Sequence, residues 1–317
     1  MSKSGADRKW EAGSQMDWRG GLLAAPSADD AALLPARPGL FATGTGALLA
    51  LGRMLNQAGG RRTKLHVPSF FCMEVVTCLK KTFEIRWYRD LPTDPTPDFA
   101  TIAADQGDAV LAVNTFGVRG GAPWRDWALR HDRVTVIEDH THDPFSPWAR
   151  ASQAPYAVVS LRKTLPLPDG ALVWSPQGLA LPRPDPSESE AARVKLTGMM
   201  LKNAYIEGAP FEKDVFRRME VKSEDDFSRD EGHAASYFTS SVLGLLRLGD
   251  FRRQRTANVR TFVQLSKEWK TPDWNLLFES WPEGSTPFAS ILVCRDNQTR
   301  EALRSHLIGQ NIFVAVH

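Results

Sequence analysis

The chain has 317 residues, 42% of them hydrophobic and 24% charged, which is enough apolar material for a packed core and excludes a disordered or fibrous protein. Its 39 Lys and Arg stand against 37 Asp and Glu, and a net charge of +2 gives no electrostatic case for nucleic acid as the main partner. Three scattered cysteines (Cys72, Cys78, Cys294) exclude a disulfide framework or a Cys-based zinc site and read as reduced cytosolic thiols. No apolar run reaches the roughly 18–20 residues that cross a bilayer, so no membrane partner is expected. The N-terminus is charged with no apolar segment behind it, unlike a signal peptide. The expected class is a soluble cytoplasmic enzyme.

Residues 1–35, rich in Gly, Ala, Ser and Asp, read as a mobile or peripheral arm. Apolar side chains at Ala47, Leu48, Leu51, Met54 and Leu55 predict a helix over 47–58. Lys64–Pro68 reads as a buried strand, 71–81 as a helix, 84–88 as a strand and the Pro-rich 91–98 as a loop. The runs at 109–116 and 134–139 are continuous apolar strands of the kind buried on both faces, with an amphipathic helix between them. Further strands follow at 156–161 and 171–175, and this alternation implies an α/β domain whose mostly parallel sheet is flanked by helices. Beyond a second Pro-rich loop at 181–190 the chain reads as helical over 191–204 and again over about 234–268. Strand-like 287–294, a helix near 298–309 and strand-like 311–316 give the order of a small α+β domain. The expected division is the arm 1–35, a large domain 36–250 and a small domain 251–317, with no internal repeat.

Four segments sit where strands give way to loops, the place where open α/β sheets hold ligands. Thr43-Gly44-Thr45-Gly46 precedes the first long helix: glycines admit close approach of an anion to free N–H groups, although a plain helix cap uses the same residues. Glu138-Asp139-His140-Thr141-His142-Asp143 leaves a buried strand, where a carboxylate needs a positive or protonated partner. No second cluster completes a coordination shell, so no metal is expected. Ser160-Leu161-Arg162-Lys163 places an amine just past a buried strand, where desolvation can make it nucleophilic; taken alone, the lysine reads as a solvated surface charge. Val67-Pro68-Ser69-Phe70-Phe71-Cys72 puts aromatics at a strand end, suited to flank a planar ring or to pack in the core. Together these are the parts of a pyridoxal 5′-phosphate (PLP) site: an amine, an acid for the pyridine nitrogen and a phosphate cradle.

In this order the segments resemble the fold-type-I, PLP-dependent aminotransferases of the DegT/DnrJ/EryC1/StrS group, over about residues 40–317. Thr43–Leu48 is similar to the family's phosphate-binding turn, Ile137-Glu138-Asp139 to its Ile-Glu-Asp, and Ser160–Lys163 falls where its Schiff-base lysine lies. Val67–Phe70 and Asn114–Gly117 resemble two further strand ends, and Arg252-Arg253 with Asn258 the helix that opens the small domain; that helix reads equally as a solvated face. The resemblance implies PLP as cofactor, with Lys163 and Asp139 catalytic and Gly44, Thr45, Asp139, His142, Ser160 and Lys163 as cofactor contacts. Asn114 and Arg162 are the candidate substrate residues. It further implies a homodimer moving an amino group from an amino acid donor to a keto acceptor, a keto sugar nucleotide among the acceptors. The alternatives are a catalytically idle scaffold subunit and a PLP enzyme of another reaction type, a dehydratase or lyase. Two departures stand out. Cys72 occupies the position of the ring-stacking aromatic, leaving Phe71 or His142 for that role, and the small domain reads as shortened.

Overall fold

The computed structural model describes residues 9–269 and 271–316. In chain order the large sheet and its helices are α1 (Ala28–Ala31), β1 (Gly39–Phe41), α2 (Gly44–Gly59), β2 (Lys64–Pro68), α3 (Met73–Leu79), β3 (Glu84–Tyr88), β4 (Ala109–Val113), α4 (Ala122–Arg130), β5 (Thr135–Asp139), α5 (Pro147–Arg150), β6 (Tyr156–Ser160) and β7 (Ala171–Trp174). There follow β8 (Asp185–Glu188), α6 (Glu190–Ile206), α7 (Asp214–Phe227), β9 (His233–Ala234), α8 (Tyr237–Val242), α9 (Leu248–Ser266), β10 (Trp274–Leu276), β11 (Leu292–Cys294) and α10 (Asn297–Gly309).

Among the described residues one nine-stranded sheet runs β3-β2-β4-β5-β6-β7-β1-β9-β8. Strands β3, β2, β4, β5 and β6 are parallel neighbours, while β7 pairs antiparallel with both β6 and β1. Every residue of β4 and β6 is buried, as expected of central strands covered on both faces. One layer packs α2 and α3 through Leu48, Leu51, Val76 and Leu79 onto Leu65, Leu111 and Ile137; the other packs Trp124 and Trp127 of α4 against Val110 and Val136. This is the α/β architecture expected of the alternating pattern. The parallel order brings the C-terminal ends of β2, β4, β5 and β6 to one edge, beside the N-terminus of α2.

Several expectations change, among them the helical stretch over about 234–268, which divides into α8 and α9 after Ala234 joins β9. The arm read as mobile is docked from Lys9 onward: Trp18 is buried in the core, and Glu11 pairs with Lys202 at 2.7 Å and Lys213 at 2.5 Å. In 287–294 only Leu292–Cys294 forms a strand, pairing with β10, because Phe288 N–H donates instead to Phe116 O at 2.8 Å and turns the chain toward the sheet. In 311–316 a single bridge forms, Ile312 with Ala12 of the arm. The expected boundary at 250/251 falls within the first turn of α9.

Candidate active site

The strand-end motifs meet at this edge. Thr43 caps α2, its Oγ1 accepting from Gly46 N–H at 2.9 Å, while the N–H groups of Gly44 and Thr45 have no acceptor among the described residues. Gly44 lies against the end of β6: a Cβ there would stand 3.2 Å from Ser160 Cβ. The absence of that carbon lets the helix N-terminus and the Ser160 hydroxyl face one space, a cradle suited to a phosphate. On its other side Asp230 anchors the turn, accepting from Thr43 Oγ1 at 2.6 Å.

Asp139 ends β5 and is 7% exposed. Its Oδ1 accepts from Thr141 N–H at 2.8 Å, and among the described residues no lysine or arginine pairs with it. Burial therefore raises its pKa above the ordinary aspartate value, against the lowering effect of the Thr141 bonds. A buried carboxylate without a cation fits a protonated ring nitrogen as its missing partner. Thr141 Oγ1 accepts from Ser160 N–H at 3.0 Å, tying the β5 and β6 ends together.

Lys163 closes a short 3-10 turn directly after β6 and reaches solvent. The protein around it lowers the amine pKa, chiefly by desolvation and secondly through the charge of Arg162. Cys72 and Glu74, at the N-terminus of α3, lie close enough for their charge to act on it in the opposite sense.

His142 is fixed by its surroundings. Its Nδ1 accepts from Phe116 N–H at 2.9 Å, which places a ring proton on Nε2 if the imidazole is neutral, and its ring is flanked by Phe116 and Phe288. Phe116 adopts φ 55°, a left-handed conformation costly for an aromatic residue, and the following Gly117 has φ 71°, where a Cβ would meet Thr286 O at 2.8 Å and Asp143 Cβ at 2.9 Å. Strain is thus held where three loops close behind His142. Phe71 packs onto the core beneath α3, and Cys72 is exposed.

The two candidate substrate residues sit differently. Asn114 is wholly buried, its Oδ1 accepting from Arg119 N–H at 3.2 Å and its Nδ2 donating to Ser146 Oγ at 3.4 Å. Arg162 grips both oxygens of Glu224 at 2.7 and 2.8 Å. Both are therefore engaged within the protein. Glu224, which the sequence reading passed over, also takes Lys195 at 2.8 Å; burial would raise its pKa, but Arg162 and Lys195 together bring it down to about 2. Among the described residues no group of three or more His, Cys, Asp or Glu could hold a metal ion, and no helix is long and apolar enough to cross a membrane.

Solved structures share this fold. DesV from S. venezuelae superposes with a TM-score of 0.56 at 16% identity, covering 92% of this chain and 74% of its own. TlmJ, an aminotransferase from Streptoalloteichus hindustanus, gives 0.57 at 15%, covering 92% and 75%. A Streptococcus pneumoniae protein assigned as a sugar aminotransferase, solved in PLP and PMP forms, gives 0.59 at 12% in the PMP form, covering 97% and 84%. The fold is that of the fold-type-I aminotransferases. No protein-family model matches the sequence, and no curated protein matches it. At such identities the fold-type-I likeness concerns the backbone.

Proposed function

We propose that this chain is a PLP-dependent aminotransferase that carries an amino group from an amino acid donor to a keto acceptor, a keto sugar among them. The observation that carries this reading is the meeting, at one sheet edge, of the open α2 N-terminus packed on Ser160, the buried Asp139 with no lysine or arginine paired to it among the described residues, and Lys163, whose amine the surrounding protein lowers in pKa. The acceptor class rests on the sugar aminotransferases among the structural neighbours.

PLP, when bound, supplies an aldehyde and a ring that draws electrons from the substrate carbon. Gly44 and Thr45 N–H with the Ser160 hydroxyl bind its phosphate. Asp139 would hold a proton at the ring nitrogen, which would give its buried carboxyl the positive partner it lacks. Lys163 would hold the group through Nζ and, with its amine free, would move a proton as general base and acid. Its lowered pKa leaves more of the amine unprotonated near neutrality. His142, set by Phe116 N–H, orients the ring edge. The reading carries a homodimer with it, to be tested by light scattering.

The experiment is PLP titration followed by borohydride reduction and peptide mass spectrometry. The reading expects a visible absorbance band and a reduced adduct on Lys163, lost in Lys163→Ala. An adduct that survives this substitution places the attachment elsewhere. L-glutamate and other amino donors should bleach the band; a bound cofactor that no donor converts would favour an idle scaffold.

A further inference from the structure

We propose that Arg252 and Arg255 of α9, with Asp143 between them, form a second oxyanion site, taking the phosphate or carboxylate group of a small molecule. The site stands on the geometry of this cluster alone and does not depend on the PLP reading.

Arg252 and Arg255 are three residues apart and so share one face of α9. Both reach toward Asp143, which is wholly buried in the loop after β5. Neither reaches it at hydrogen-bonding distance: Arg252 stands 3.8 Å from Oδ2 and Arg255 3.9 Å from Oδ1. A finished arginine–carboxylate lock closes to about 2.7–2.9 Å and is often bidentate. Asp143 Oδ2 already accepts from Thr286 N–H at 2.7 Å, and Arg252 donates to Gly284 O at 2.6 Å. The Arg255 side chain, only 17% exposed, makes no hydrogen bond among the described residues. Arg252 Nε, Arg255 Nε and Asp143 Oδ1 are all buried without a partner.

The two orphaned arginine Nε–H groups ask for an acceptor, whereas the orphaned Asp143 Oδ1 asks for a donor and opposes an anion, so the case for an oxyanion rests on the two guanidinium groups. Two guanidinium ions against one carboxylate leave a positive surplus, and the charge of Arg150 adds to it. Burial pushes the Arg255 guanidinium down to about 10, a measure of how poorly its charge is compensated. Arg252 opens onto a cleft of about 1010 Å³ between the arm, α9 and the 279–286 segment, with Trp281 on its wall, so the oxyanion can belong to a larger molecule. Five acids also line this cleft: Asp250 is held by Arg247 and Arg253, Asp30 accepts from Gly249 N–H at 2.7 Å, and Asp29, Glu279 and Glu283 stand with them.

The test is calorimetric titration of the full chain, at fixed ionic strength with chloride as reference, using inorganic phosphate, pyrophosphate and succinate. Binding should weaken about tenfold or more in Arg255→Gln and in Arg252→Gln. Asp143→Asn should bind several-fold tighter, because it removes the competing charge; a purely structural cluster would show no such gain. Preference for the phosphates or for succinate identifies the group. Circular dichroism checks folding, and should Arg255→Gln not fold, Arg252→Gln and Asp143→Asn are read the same way. Wild-type binding no stronger than with chloride, or undiminished binding in the folded arginine variants, overturns the proposal.

Discussion

A carboxylate buried at the end of a strand with no cation beside it costs stability at neutral pH, and Asp139 is in that position. Its folded pKa lies above the ordinary value, so the folded protein keeps this proton to higher pH than the unfolded chain does. The stability it contributes is present below the ordinary aspartate range and declines as pH rises through the folded pKa. Asp139→Asn should therefore raise the Tm of the cofactor-free protein at pH 7 by about 1–3 °C, the gain vanishing in acid, and should abolish amino transfer. Calorimetry at two pH values beside a donor half-reaction measures both; a lowered Tm at pH 7 would contradict the account. That Asp139 ends a buried strand was legible in sequence, because a continuous apolar run stops at it. That Asn114 and Arg162 are engaged internally was not legible, since Ser146, Arg119 and Glu224 lie on other elements.

At the scale of elements, helix α7 went unread because the face it buries, Phe216, Glu220, Ser223 and Phe227, is half polar and shows no apolar periodicity. The same helix presents Glu224 to Arg162 and Lys195. Because that carboxylate titrates near 2, below the ordinary 4.5, its contribution is complete above the ordinary glutamate range and is lost as pH falls toward 2. Its side chain is a third exposed, so screening reduces the effect. Glu224→Gln should cost about 1–2 kcal/mol at pH 7, by denaturant melts, and the difference should shrink toward pH 2. By contrast β2 and β3 lie where the sequence reading put them, over 64–68 and 84–88: the buried β2 and the edge strand β3 are both short and bounded by helix and turn, which leaves little room for slippage.

Over the whole molecule the arm acts as a strap rather than a lead-in. Trp18 stacks edge-on against Phe238 of α8 at 4.8 Å, and Leu23 bridges to Leu246. Trp18→Ala should destabilise the fold by about 3–4 kcal/mol, read from thermal or denaturant unfolding; a mobile arm would show almost no change. The arm's Gly- and Ser-rich composition concealed this, because its anchors are two isolated residues, Glu11 and Trp18, rather than a periodic face.

What the amino-acid sequence determined by itself is the succession of buried strands and the residues at their ends, since burial on both faces demands continuous apolar runs and polar side chains must emerge where those runs stop. The tertiary structure alone decided which distant charges meet. Glu224 lies 62 residues from Arg162, and Asp143 more than a hundred from Arg255. Ion pairing acts through space and leaves no local pattern in the chain, so the anchoring of Lys163's neighbour and the unfilled arginine cluster became visible only once the sheet and α9 were packed.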